Sequence, residues 1–86
     1  MEKKQYEAFI ENAKKTISYK LLDVFIGRLN GGDNYEDEDA LISDILDSFI
    51  YYKDQREIMK EYSAPSDNKT FYECVEMFES DLYSCF

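Results

Sequence analysis

Glycine and proline are nearly absent from this 86-residue chain, which holds three glycines and one proline. Few points remain where the backbone can reverse sharply, so long helices are favoured over a turn-rich β fold. The breaks that do exist are concentrated. Asn30-Gly31-Gly32-Asp33-Asn34 is the clearest of them. Glycine past a helix end supplies a left-handed cap, and Asp33 or Asn34 can cap the helix that follows. Ser63-Ala64-Pro65 is the second, because proline disfavours helix in the residue before it.

Between these breaks the apolar residues recur at helical spacing. Tyr6, Phe9, Ile10, Ala13, Ile17, Leu21, Leu22, Phe25 and Leu29 mark one face of an amphipathic segment. That helix can run unbroken to Asn30, or Thr16 or Ser18 can cap a second one. A strand over residues 17–25 is the alternative, weakened because Leu22, Val24 and Ile26 fill the opposite face. The second segment carries Leu41, Ile42, Ile45, Leu46, Phe49, Ile50, Ile58, Met59 and Tyr62, with a kink or break expected near Lys53-Asp54. In the third, Phe71, Val75, Phe78 and Leu82 form a stripe beside Cys74 and Met77, with Ser66, Asp67 or Asn68 as its cap. The expected fold is all-α: a single domain over residues 1–86, an antiparallel bundle of three helices, or four if one long segment breaks.

Several chemistries lack their residues. The chain has no histidine, the commonest general base and metal ligand, and two cysteines cannot supply the four ligands of a structural zinc site. Gly27, Gly31 and Gly32 match neither phosphate-binding motif. Asp33 to Asp44 has the length of a calcium loop, but Tyr35 stands at its third place and Glu38 at its sixth, where an oxygen ligand and a glycine are needed. No cofactor, no metal and no catalysis are expected. On one continuous helix Cys74 and Cys85 would lie about 16 Å apart, too far for a disulfide, and Cys85 is expected to be frayed and exposed. Two free thiols, the charged Met1–Tyr6 start and the lack of any membrane-length apolar run point to a cytoplasmic protein.

Charge is what remains to carry function. Nineteen acidic and ten basic residues give a net charge of −9. Residues 1–30 sum to +2 and residues 31–86 to −11, so the acidity belongs to the last two-thirds. Such a chain repels nucleic acid and anionic membrane and attracts a basic protein. Tyr35, Glu36, Asp37, Glu38, Asp39, Asp44, Asp47, Tyr51, Asp54, Glu73 and Glu76 are the candidate partner-binding residues. Asp44, Asp47, Asp54 and Glu61 are expected along the outer face of the second helix, and Glu73, Glu76, Glu79 and Asp81 on the third. Glu36 to Asp39 also fit an ordinary role at a helix start, where acidic groups complement the dipole.

Tyrosine is the second unusual feature, with eight residues. Tyr6 and Tyr62 lie on apolar stripes, whereas Tyr35, Tyr51 or Tyr52, and Tyr83 are hard to bury together. Tyrosine is enriched in binding hot spots. Size, acidity and stretches such as Tyr35-Glu36-Asp37-Glu38-Asp39 resemble the small phage-encoded anti-CRISPR and DNA-mimic inhibitors. The chain also looks like the helical immunity proteins that neutralise nuclease toxins. The first resemblance implies a monomer or homodimer that blocks the nucleic-acid-binding surface of a nuclease or CRISPR effector without touching nucleic acid itself. A self-associating interaction module is the remaining alternative.

Overall fold

The computed structural model describes residues 1–26, 35–51, 55–64 and 66–86, except the side chains of Val24, Phe25 and Tyr51. The all-α class holds: five helices and no strand are found among the described residues. They are α1 (Lys3–Thr16), α2 (Tyr19–Ile26), α3 (Glu38–Tyr51), α4 (Gln55–Tyr62) and α5 (Phe71–Tyr83). Five helical segments are described where three or four were expected; one long segment is interrupted at Ile17–Ser18.

That interruption needs neither glycine nor proline. Thr16, Ile17 and Ser18 are all weaker helix formers than the residues before them. Ile17 turns extended (φ −93°, ψ 141°) while its N–H still reaches the Ala13 carbonyl. Burial of Ile17 and Leu21 holds the bend. Residues 19–26 resume as helix, which overturns the strand alternative for residues 17–25. Helices α3 and α4 flank residues 52–54. The expected break at Lys53-Asp54 lies outside the described residues, as does the Asn30–Asn34 punctuation.

Caps differ from expectation in an instructive way. The start of α3 is capped by Asp37, whose carboxylate accepts the Ala40 N–H at 2.8 Å, rather than by Asp33 or Asn34. The start of α5 is capped by Thr70 rather than by Ser66, Asp67 or Asn68. Its hydroxyl oxygen accepts the Glu73 N–H at 3.2 Å, and its O–H faces the Glu73 carboxylate at 3.3 Å. Asp67 instead accepts the Ala64 N–H within the connection, Asn68 takes a left-handed φ of 53°, and the Lys69 ammonium donates to the Tyr62 carbonyl at the end of α4.

The core joins every helix. Phe9 and Ala13 of α1, Leu21 and Leu22 of α2, and Leu41, Ile42, Ile45 and Phe49 of α3 meet Ile58 of α4 and Cys74, Phe78 and Leu82 of α5. Helix α5 packs along α4 and α3, while α2 packs on α1, α3 and α4. Phe78 sits at the centre of this arrangement, edge-on to Phe49 at 5.1 Å and tilted against Tyr62 at 6.1 Å. The last residues fold back over α1: Phe86 stacks on Phe9 at 4.7 Å, and the Asn12 amide donates to the Cys85 carbonyl at 2.8 Å. Cys85 is therefore fully buried, not frayed, and Met77 is exposed while Phe71 and Val75 only border the core.

Among the described residues, no helix is long and apolar enough to cross a membrane. Two stability measurements check the packing and capping argument by urea unfolding. Phe78→Ala is expected to lose about 3–5 kcal/mol, a large part of the total stability of a small domain. Thr70→Ala is expected to lose about 1 kcal/mol, with Thr70→Ser close to wild type.

Candidate functional site

Helices α3 and α5 are acidic in an unusual way: neither contains a single Lys or Arg. Glu38, Asp39, Asp44 and Asp47 belong to α3, and Glu73, Glu76, Glu79 and Asp81 to α5. Among the described residues the ion pairs are Lys3–Glu7, Lys14–Glu11, Lys60–Glu57 and Lys69–Asp67, so none reaches either helix. The polar contacts that reach these acids come instead from a neutral donor, the tyrosine hydroxyl.

Three such bonds are present among the described residues. Tyr35 donates to the Asp44 carboxylate, Tyr62 donates to Asp81 at 2.6 Å, and Tyr83 donates to Asp39. The first fixes the approach to α3, the second ties α4 to α5, and the third ties the end of α5 to the first turn of α3. At Tyr62 and Tyr83 the bond raises the cost of removing the phenolic proton. Tyr62 is driven well above the usual phenol range, first by burial, then by its bond to Asp81 and the charges of Asp81 and Glu61. Tyr83 is pushed up to about 12, first by its bond to Asp39, then by burial, then by the charges of Asp39, Glu79 and Asp37. Those causes also place Asp37, Asp39 and Glu79 around one phenol.

The structure thus sorts the sequence-named residues. Tyr35 is only 7% exposed and belongs to the core, which corrects its assignment to a binding surface. Its hydroxyl donates to Asp44, which stands beside the apolar stripe of α3. Asp44 is half-buried and does not lie on the outer face, and Asp81 is likewise half-buried against Tyr62. Glu36, Asp37, Glu38 and Asp39 are exposed at the start of α3, although Asp37 is also the cap and Asp39 the partner of Tyr83. Asp47 is exposed on α3, and Glu73 and Glu76 are exposed on α5. Asp54 and the Tyr51 side chain lie outside the described residues. Of the expected ladder through Asp47, Asp54 and Glu61, Asp47 is on α3 and Glu61 on α4, and the middle residue lies outside the described residues.

Residues 36–39 line a shallow depression of about 290 Å³ with Met1 and Gln5, where the Met1 ammonium donates to the Tyr35 carbonyl at 2.6 Å and the Glu36 carbonyl at 2.9 Å. A second depression of about 360 Å³, lined by Met59, Lys60, Ser63, Ala64, Asn68 and Lys69, lies away from the acidic helices. No group of side chains that could hold a metal ion exists among the described residues.

Glu79 and Tyr83, and Tyr72 with them, join the site from α5. The helical period could have found them. At 100° per residue, Tyr72, Glu76, Glu79 and Tyr83 fall within about 60° of each other, on the far side of the helix from Cys74 and Phe78. Tyr72 is 77% exposed and Tyr83 40%. Along α5 the carboxylates of Glu73, Glu76 and Glu79 advance by about 4.5 Å per charge, somewhat sparser than the ~3.4 Å per phosphate of one nucleic-acid strand. The candidate site is this exposed strip on α5, continued by Asp39 and its neighbours at the start of α3. No family model, no curated protein and no solved structure matches the chain.

The raised phenols have a consequence in alkali. A group protonated in the fold above its unfolded value contributes stability that is complete below the unfolded value and fades as pH climbs through the folded one. Unfolding free energy is expected to hold steady up to about pH 9.5 and to fall from about pH 10 upward, the ordinary phenol range. Tyr62→Phe should lower stability at neutral pH by about 1–2 kcal/mol and flatten the alkaline slope, as followed by circular dichroism.

Proposed function

We propose that this protein is a stoichiometric inhibitor rather than an enzyme, one that docks an acidic helical surface on the basic, nucleic-acid-binding face of another protein. A nuclease or CRISPR effector is the partner class to test first. The observation that carries the reading is that α3 and α5 hold eight carboxylates between them and no basic residue, with no ion pair to either among the described residues. Charges left unneutralised at a surface cost self-repulsion and have value where a partner supplies the opposite sign.

In this reading Glu36, Glu38, Asp47, Glu73, Glu76 and Glu79 meet lysines and arginines that otherwise hold phosphate. Asp37, Asp39 and Asp44 contribute mainly by shaping the surface, because each is already engaged within the fold. The helices are taken as an antiparallel bundle that keeps the outer face of α5 clear of its neighbours. Action in the cytoplasm, as a monomer or homodimer, belongs to the same proposal.

The test adds the full chain to a nuclease or CRISPR effector cleavage assay and titrates the complex at two salt concentrations. Inhibition is expected to saturate at a defined stoichiometry, with affinity falling about ten-fold or more between roughly 0.1 and 0.4 M salt. The combined variant Glu36→Lys, Glu38→Lys and Glu76→Lys should fold normally and lose inhibition by a similar factor or more. Affinity indifferent to both salt and charge reversal would overturn the reading.

A further inference from the structure

The outer face of α5 is more specific than a patch of negative charge. Its four residues read Tyr72, Glu76, Glu79, Tyr83, a ring followed four residues later by a carboxylate and then the same pair in reverse order. All four side chains are exposed. Residues four apart on a helix are neighbours, about 6 Å along the axis. Each end of the strip therefore presents a phenol ring beside a carboxylate, and the two pairs are centred about 10 Å apart. Tyr83 is held in place by its bond to Asp39, so that ring is ordered before any partner arrives. Tyr72 is backed by Phe71, whose ring centre lies 5.9 Å away.

A ring beside a carboxylate suits one cation better than the other. The arginine guanidinium is flat: it stacks on an aromatic face while its edge forks two hydrogen bonds to a carboxylate. The lysine ammonium is a compact, strongly hydrated point charge that gains from the carboxylate and little from the ring. Resting on the acidic-inhibitor reading above, we propose that the α5 face docks a protein surface carrying two arginines about 10 Å apart, each seated between one tyrosine and one glutamate. Charge complementarity selects a basic partner, and the paired rings select arginine within that class.

The probe is an alanine-rich helical peptide with arginine at two positions seven apart, compared with lysine at the same positions and with a neutral peptide. Binding to the full chain is followed by heteronuclear NMR at about 0.1 M salt. The arginine peptide is expected to bind about ten-fold more tightly than the lysine peptide and to shift the amide signals of residues 72–83. Tyr72→Ala, which empties one of the two seats, should cut that preference to about three-fold and leave lysine-peptide binding intact. Tyr83→Phe, which keeps the ring and removes the bond to Asp39, should retain more of it than Tyr83→Ala. Circular dichroism melts establish that each variant is folded. Equal affinity for the two cationic peptides, or a preference undiminished by Tyr72→Ala, overturns the arginine assignment while leaving the acidic-surface reading standing. Binding of neither cationic peptide above the neutral one overturns both.

Discussion

A phenol donating to a carboxylate solves the main electrostatic difficulty of this molecule. Helices α3 and α5 pack on each other although each carries four acids and no base. Ion pairs would be the usual way to offset such repulsion, but they would also neutralise the surface. The hydroxyls of Tyr35, Tyr62 and Tyr83 satisfy Asp44, Asp81 and Asp39 without adding positive charge. Each hydrogen bond to a charged acceptor is stronger than a neutral one, and the net negative charge is preserved. The same economy explains why several tyrosines sit at the rim of the core, half inside and half out.

The apolar periodicity was the most legible part of the fold. Phe9, Ala13, Leu21, Leu41, Ile42, Ile45, Phe49, Ile58, Phe78 and Leu82 were all readable as core from spacing alone, and all are buried. The bend at Ile17 was less legible because no glycine or proline marks it; a moderate local preference is decided there by where Leu21 and Leu22 can be buried. The Thr70 cap was readable in principle, since Thr70-Phe71-Tyr72-Glu73 has the Thr-x-x-Glu form of a capping box. It was hidden by a cluster of equally plausible cap residues just upstream.

The acidic site was legible in composition but not in arrangement. Sequence spacing separates acids by helix face only when the extent of each helix is known, and Asp47 and Glu61 fell on different helices. Nor does a one-dimensional reading show that Tyr83 meets Asp39, 44 residues away. Tyr35 is the sharpest case. A tyrosine amid four acids reads as surface, yet Tyr35 is buried with its hydroxyl on Asp44.

Both thiols lie at zero exposure, and neither is engaged in a disulfide. Burial, followed by the nearby Asp81 charge, pushes the Cys85 thiol up, against the opposing pull of hydrogen bonds from Thr16 and Ser84. Reactivity requires access to solvent, which neither thiol has while the fold is intact. Cys74 lies inside the α5 core stripe and Cys85 just beyond the helix, where the last residues lie over α1. An alkylating reagent therefore meets two separate clocks in one chain, one keyed to the loosening of the terminal turn and the other to the opening of the core itself.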